Sequence, residues 1–454
     1  MRKIRPVALT IAGSDSGGGA GIAADLKTFA AAGVHGALAV TSVTAQNTVA
    51  VTGIYDLPPE AVRRQILAVH EDMGVDAAKT GMLSNASIVR MVAELVGQLG
   101  FPLVVDPVMV AKSGASLLSD DAVEVLIREL VPRATVVTPN APEAERMTGI
   151  EVRDLGGARR AAEYIVEQLG AGVAVVKGGH LPGDESIDIL YSAGRYVELR
   201  APRLESRTTH GTGCSFSAAI AAGLAKGFRI EEAVGAAKKM ITDAIRYGLE
   251  IGSGHGPVNP TSWVEVPAER FRALQDVRLA LRVLTENEFF VSPLVPEGSI
   301  DLGVALPAPY ASGSGDVAWV VGGLGRSGSR LIARGDVDFG ASDRLTSAVL
   351  AMSERFPDLR AAAIIGSDDP VASAISSVGF RTYSFVRRAG ALRGRELGLG
   401  ISDALRSAGT EPPDVVLDPG GLGMEPLAIV FGRSAVEAAS RVVAIGKALA
   451  GAHI

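Results

Sequence analysis

Apolar and polar positions follow two rhythms over roughly the first 250 residues. Short continuous apolar runs rich in Val, Ile and Ala alternate with longer stretches whose apolar residues recur every three or four positions. The first rhythm predicts strands buried on both faces, the second amphipathic helices. VALTI (Val7–Ile11) reads as the first buried strand, followed by a glycine cluster and a helix through AADLKTFAAAG. ALAVTSVTA predicts a second strand, VRRQILAVHEDM a helix and DAAKTGML a third strand. ASIVRMVAELVGQL reads as helix and PLVVDPVMV as strand. SDDAVEVLIREL is a helix with Ser119 as N-cap, and TVVTPN a strand. ARRAAEYIVEQLG (helix) and VAVVKGGH (strand) continue the pattern. IDILYS and RYVELRAP predict an antiparallel pair, and CSFSAAIAAGLAKG and IEEAVGAAKKMITDAIRYG two closing helices. Such alternation implies an α/β fold with a mostly parallel sheet covered on both faces.

The rhythm breaks at IGSGHGPVNPTSW (Ile251–Trp263), which carries Pro257 and Pro260 among its glycines. A boundary is expected there. It divides the chain into a first domain, 1–262, a linker helix, 263–289, and a second, smaller α/β domain, 290–454. The linker helix is predicted from about Pro267 to Asn287. Phe271, Leu274, Val277, Leu281 and Leu284 share one face, and Pro267 suits its first turn.

At 454 residues the chain exceeds one ordinary core, which agrees with that division. The composition, 47% hydrophobic and 21% charged, is that of a globular protein, and the net charge of −6 gives no polyanion-binding surface. A single cysteine excludes an intrachain disulfide framework and a cysteine zinc site. The start, MRKIRPVALTIAGSD, lacks a signal-peptide pattern, and no uninterrupted apolar run reaches about 18 residues. A cytoplasmic protein without membrane or nucleic-acid partners is expected.

The one cysteine, Cys214, follows Gly211, Thr212 and Gly213 and opens a predicted helix. A glycine turn at a helix N-terminus presents free amides and the positive end of the dipole, which suits an anion. A thiol there would have its pKa lowered by the dipole and could accept a proton. The plain alternative is a small buried apolar residue.

The ordered motifs TIAGSDSGGGAGIAADLKTFAAAGVHG, TAQNT, KTGML, VVDPVMVAKSG, TPNAPEAERMTG, VVKGGH and TTHGTGCSFSAAIAA span Thr10 to Ala222. Together they resemble the hydroxymethylpyrimidine/phosphomethylpyrimidine kinases of thiamine biosynthesis, in the ribokinase-like superfamily. The resemblance implies a three-layer αβα sandwich that uses ATP and Mg²⁺. It implies phosphorylation of 4-amino-5-hydroxymethyl-2-methylpyrimidine to its monophosphate and then its diphosphate. It places Cys214 at the position of the superfamily's base, beside an anion hole at Gly211, Thr212 and Gly213. Gly13, Asp25, Gln46, Met82 and Val108 would line the pyrimidine pocket. Read without the resemblance, Asp25 is a surface charge, Gln46 a loop residue and Met82 core packing. Lys177, Asp106 and Asn140 would meet ATP phosphates, and Glu143 with Asp106 would hold the metal. Lys177 could equally be a solvated strand-end lysine, and Glu143 could simply favour a helix N-terminus. His210 either closes the loop or caps the turn. Pyridoxal kinase is the rival activity within the fold; the cysteine after GTG and Gln46 in TAQN favour the pyrimidine branch. A homodimer is expected.

The second half carries LGVALP, GRSGSRLIARG, DFGASD and DPGGLGMEPLAIVFG. These resemble the ThiN-type thiamine-phosphate synthase domain, which joins the pyrimidine diphosphate to thiazole phosphate. Arg326, Ser342, Asp343, Arg344 and Glu425 are its candidate site residues. The family's histidine after FGAS is absent, replaced by Asp343 and Arg344, and Met424 stands where the family has lysine. The only histidine of this half is His453. Three roles therefore stay open: active synthase, thiamine-phosphate sensor, or structural domain.

Overall fold

The computed structural model describes residues 4–112, 114–328, 330–385, 396–407, 410–421 and 423–451. The chain forms two compact units, Met1–Val264 and Glu265–Ile454. Among the described residues, no helix is long and apolar enough to cross a membrane.

The strands of the first unit are β1 (Val7–Ala12), β2 (His35–Val40), β3 (Ser42–Gln46), β4 (Val51–Asp56), β5 (Ala77–Thr80), β6 (Leu103–Val105), β7 (Val136–Val137), β8 (Ala174–Val176), β9 (Glu185–Ser192) and β10 (Arg195–Pro202). Eight build one sheet in the order β10-β9-β8-β7-β6-β5-β1-β2, parallel from β2 through β8 and antiparallel for β9 and β10. The period of two sorts their side chains. Val7, Leu9 and Ile11 enter one core, while Ala8, between the first two, enters the other. Helices Pro59–Met73, Ala86–Leu99 and Leu155–Glu167 cover the first face; Gly21–Ala31, Thr212–Ala225 and Ile230–Arg246 cover the second. This is the expected three-layer αβα sandwich. Leu9 and Ile11 are fully buried, and each contributes about 1.5–3 kcal/mol by leaving water.

Helix limits follow local chemistry. Asn85 accepts the Ile88 amide at 3.1 Å to start Ala86–Leu99, and Gly100, at φ 71°, ends it. Ser119 does stand at an N-cap, but its side chain makes no capping hydrogen bond; the helix Asp120–Val125 runs on as a π-turn, Leu126–Leu130.

Two sequence expectations fail here. The run read as one second strand is two, because the chain leaves the main sheet at Thr41. β3 instead pairs with β4 in a separate two-stranded sheet. The run PLVVDPVMV contributes only the three residues of β6 to the sheet.

The second unit has β11 (Asp301–Ala305), β12 (Val317–Val320), β13 (Leu324–Ser327), β14 (Arg330–Ala333), β15 (Val337–Phe339), β16 (Ala361–Gly366), β17 (Thr382–Ser384), β18 (Val415–Asp418) and β19 (Leu427–Gly432). Seven form a sheet ordered β15-β12-β11-β16-β19-β18-β17, and β13 and β14 form a separate hairpin. Only β17 and β18 pair in parallel. Helices Asp343–Arg355 and Glu396–Ser407 share an apolar core with this sheet.

The helix predicted from Pro267 spans Ser262–Glu286 and holds Pro267 inside it rather than in its first turn. Its buried stripe is Ala273, Val277, Ala280 and Leu284, whereas Phe271 is 63% exposed. The small alanines, not the bulky Phe271, mark the packed face.

Candidate active site

Parallel sheets place chemistry beyond the carboxyl ends of their strands. Here Gly13 follows β1, Gly81 and Met82 follow β5, Asp106 follows β6, Thr138 follows β7 and Lys177 follows β8. A cavity of about 870 Å³ opens above these ends. Gly13, Gln46, Met82 and Val108 line it, as do Asp106, Asn140, Glu143 and Lys177, and the turn from His210 to Cys214 closes the circuit.

The glycine turn is sterically enforced. Gly211 has φ +81°, and a Cβ there would lie 1.9 Å from the Gly19 carbonyl oxygen. Gly211 is the N-cap of Thr212–Ala225 and supplies no side-chain cap to the first-turn amides. Lys177 Nζ and Asp106 Oδ2 sit 3.3 and 3.5 Å from the Cβ position of Gly213, so the helix end, the cation and the carboxylate converge.

Asp106 is 1% exposed and ion-paired to Lys177 at 2.9 Å. It also accepts hydrogen bonds from Thr138 Oγ1 (3.2 Å) and Ser217 Oγ (3.4 Å). Asn140 and Glu143 form a reciprocal capping box on Ala141–Thr148: Glu143 N donates to Asn140 Oδ1 at 2.9 Å, and Asn140 N donates to Glu143 Oε2 at 2.8 Å. The helix-start alternative for Glu143 is thus real, and it brings the carboxylate to the cavity wall. Burial pushes the Glu143 carboxyl up to about 7; the Lys177 ammonium opposes this, and the Asp106 charge adds to it. Burial would lower the Lys177 value, but Asp106 and Glu143 raise it above the ordinary lysine range.

On the other wall, Met82 Sδ lies 3.0 Å from the Cβ position of Gly13. Gln46 Nε2 and His210 Nε2 are 3.4 Å apart, and His210 Nε2 is 2.9 Å from Asp15 Oδ2. Asp15 in turn accepts the amides of Gly17, Gly19 and Ala20. His210 therefore pins the glycine loop after β1 to the turn before Cys214, a loop-closing contact.

Two expectations need correction. Asp25 does not line the cavity and is no surface charge. It is fully buried beneath the cavity, paired with Lys79 Nζ at 3.1 Å and accepting Thr10 Oγ1 at 2.6 Å. And the Cys214 thiol is not acidified. Burial pushes it up to about 11; Lys79 opposes this, Asp25 and Asp106 add to it, and the Gly21 amide hydrogen bond lowers it. Desolvation outweighs the helix dipole at this depth.

Lys79 and Asp15 escaped the sequence reading. Lys79 carried a signal: a lysine in a run that reads as a doubly buried strand requires a buried anion.

In the second unit, Ser342 caps Asp343–Arg355, accepting Leu345 N at 3.3 Å and donating to Asp301 Oδ2 at 2.7 Å. Arg344 Nε donates to the same oxygen at 2.8 Å, and its Nη2 to the Ser299 carbonyl at 2.8 Å. Burial opposes, but Asp301 and the nearby Glu425 raise the Arg344 value further. Glu425 accepts the Glu297 amide at 2.7 Å. Asp343 is exposed, and Arg326 is exposed on the β13–β14 hairpin. The expected set thus gathers around Asp301 only in part. His453 lies outside the described residues.

Comparison with known proteins matches this geometry to a lineage. Residues 15–259 match the family model described as phosphomethylpyrimidine kinase, and residues 276–444 the model described as thiamine-phosphate synthase ThiN. The hydroxymethylpyrimidine/phosphomethylpyrimidine kinase of Streptomyces coelicolor (strain ATCC BAA-471 / A3(2) / M145) is 51% identical over 254 residues, 56% of this chain and 94% of that protein. The thiamine biosynthesis bifunctional protein ThiED of Geobacter sulfurreducens (strain ATCC 51573 / DSM 12127 / PCA) is 50% identical over 252 residues, 55% of this chain and 51% of that protein. Among solved structures, an ADP complex of Bacillus subtilis pyridoxal kinase superposes with a TM-score of 0.54 at 37% identity, covering 57% of this chain and 99% of that one. The first unit therefore has the ribokinase-like fold, and the chain belongs to the phosphomethylpyrimidine kinase family, with a ThiN-type domain following the kinase.

Proposed function

We propose that residues 1–262 transfer the γ-phosphoryl group of ATP to 4-amino-5-hydroxymethyl-2-methylpyrimidine, and then phosphorylate the monophosphate to the diphosphate. The observation that carries this is the convergence of Lys177, Asp106 and the uncapped helix end on Gly213 and Cys214. The triphosphate lies against Lys177 and the amides at 211–214, where positive charge meets the transferring group. The substrate hydroxyl gives its proton to the Cys214 thiolate, restoring the thiol, as its oxygen bonds to phosphorus and the bond to ADP breaks. Gln46 reads the aminopyrimidine edge by donating and accepting, and Gly13, Met82 and Val108 shape the pocket. Asn140 holds Glu143 in place.

Asp106 and Glu143 fit a magnesium ion. Both are buried at the cavity, and the Asp106 charge disfavours ionisation of Glu143, a repulsion that a cation relieves. Among the described residues no three ligating side chains cluster, which agrees with Mg²⁺ bound through one or two carboxylates plus phosphate oxygens. Bound there, it would neutralise phosphate charge during transfer.

Residues 290–454 are proposed to take the diphosphate onward to thiamine phosphate. The alternative is a sensor that binds thiamine phosphate, favoured by the lack of a histidine after Ser342 and by Arg344 being held on Asp301. A homodimer is also proposed, supported by exposed Val43, Ile54 and Tyr55 on the two-stranded sheet; light scattering checks it. The test of function is one assay on the full chain with ATP, Mg²⁺, hydroxymethylpyrimidine and hydroxyethylthiazole phosphate, followed by mass spectrometry. Pyrimidine diphosphate is expected, and thiamine phosphate above a no-enzyme control identifies the synthase. Diphosphate accumulating alone leaves a sensor or a structural domain, which binding of thiamine phosphate tells apart. Pyridoxal phosphorylated faster than the pyrimidine overturns the kinase assignment.

A further inference from the structure

Lys79 and Asp25 form an ion pair in which both side chains are fully buried. Taking two charges out of water costs several kcal/mol each, and apolar residues of similar volume often serve stability as well or better. Neither residue lines the cavity, so neither meets substrate. The pair nevertheless sits at the point where the site's supports meet. Asp25 lies on Gly21–Ala31, four residues past Gly21, about 6 Å along the helix axis. The turn before Cys214 packs on the residues just before Gly21: a Cβ at Gly211 would lie 1.9 Å from the Gly19 carbonyl oxygen and 3.5 Å from Ala20 Cα. Gly81, after β5, has no room for a side chain: a Cβ there would lie 2.9 Å from Lys79 Nζ. The helix of Cys214 packs on both β5 and Gly21–Ala31, the elements that carry Lys79 and Asp25.

We propose that Lys79 is a positioning residue for Cys214: held by Asp25, which also accepts Thr10 Oγ1, its buried ammonium lies on the strand against which the Cys214 helix packs and is a fixed counter-charge that favours the thiolate during proton transfer. Asp25 serves two ends. It anchors the ammonium, and its own negative charge keeps the thiol from ionising at rest. The charged groups acting on the thiol are Lys79, Asp25 and Asp106, and the Lys177 ammonium also interacts with it. Of the two cations, Lys79 is the one with no route to solvent or phosphate, since Lys177 lines the cavity. This rests on the reading of Cys214 as base, but its readout does not need turnover.

Because Cys214 is the only cysteine, alkylation of the full-length protein by iodoacetamide reports on one thiol. Its rate at fixed pH follows the thiolate fraction, and its pH dependence separates ionisation from access. Lys79→Met is expected to slow alkylation at pH 8.5 about tenfold or more, and Asp25→Asn to accelerate it several-fold. The double variant, which buries no unpaired charge and keeps the test available should Lys79→Met fail to fold, is expected to be slower than Asp25→Asn. Lys79→Arg should recover part of the wild-type rate. A purely structural pair predicts single-variant changes of the same sign, since both break it. Same-sign changes, no change, or a double variant as fast as Asp25→Asn would overturn the proposal. Wild-type turnover in Cys214→Ala would instead remove the base assignment and leave the alkylation result standing.

Discussion

Replacing Cys214 by alanine tests the proposed chemistry with a magnitude that follows from the site. The thiol stands at about 11, so at pH 8 only roughly one molecule in a thousand carries the thiolate. Three pH units at about 1.36 kcal/mol each make that deprotonation cost about 4 kcal/mol. If the thiolate is the base, log kcat should rise by about one per pH unit across pH 7 to 9.5, well below the thiol value. Removing the base should lower turnover about 10²- to 10⁴-fold, equivalent to about 2.7–5.4 kcal/mol, and flatten the profile. The phosphate contacts proposed above use Lys177 and backbone amides, so ATP affinity should change little. The assay couples ADP release to NADH oxidation at saturating ATP and hydroxymethylpyrimidine, with calorimetry for ATP. A variant that keeps the slope, or that keeps wild-type turnover, refutes Cys214 as the base.

Gly211→Ala should cost about 1–2 kcal/mol for the left-handed backbone alone, and its Cβ must also displace the Gly19 carbonyl, so both melting temperature and turnover should fall; an unchanged variant would contradict the packing. Gln46→Ala should weaken pyrimidine binding more than ATP binding, and calorimetry showing equal losses would count against its role. Burial opposes ionisation of Asp15, yet the His210 contact and the Ala20 and Gly17 amides hold its carboxyl below the ordinary value. A depressed folded value gives stability that is full above the unfolded value of about 3.9 and is lost as pH falls through the folded one. Asp15→Asn should therefore be less stable than wild type at pH 6, with the gap closing below about pH 4; parallel acid-unfolding curves would refute this.

The legible parts of the fold had explicit local markers. Ala86–Leu99 was bounded exactly because Asn85 and Gly100 stand at its ends. β3 was misread because its amphipathicity is inverted: Ser42 and Thr44 are buried, while Val43 is 47% exposed. Those inward polar groups are satisfied by Asp56 and the Ser14 backbone, partners distant in sequence. Several cavity residues were found through motifs that closely follow a strand, among them Gly13, Met82, Asp106 and Lys177. The Asp25–Lys79 pair was hidden because 54 positions separate partners that only the sheet brings together. The acidity of Cys214 was misjudged for the same reason: the dipole is local and visible in sequence, and burial is not.

The order of strands has a consequence for synthesis. From β6 to β10 each strand pairs with the one made just before it, so the sheet can widen outward as the chain leaves the ribosome. The helix bearing Cys214 arrives only after all of them, yet it covers Ala8, Val104 and Val136 on strands made much earlier. A nascent or truncated chain ending before Thr212 would leave that apolar face covered by Gly21–Ala31 alone. Such fragments should need chaperones and stick to one another, and no shortened chain of this kind can carry partial kinase activity.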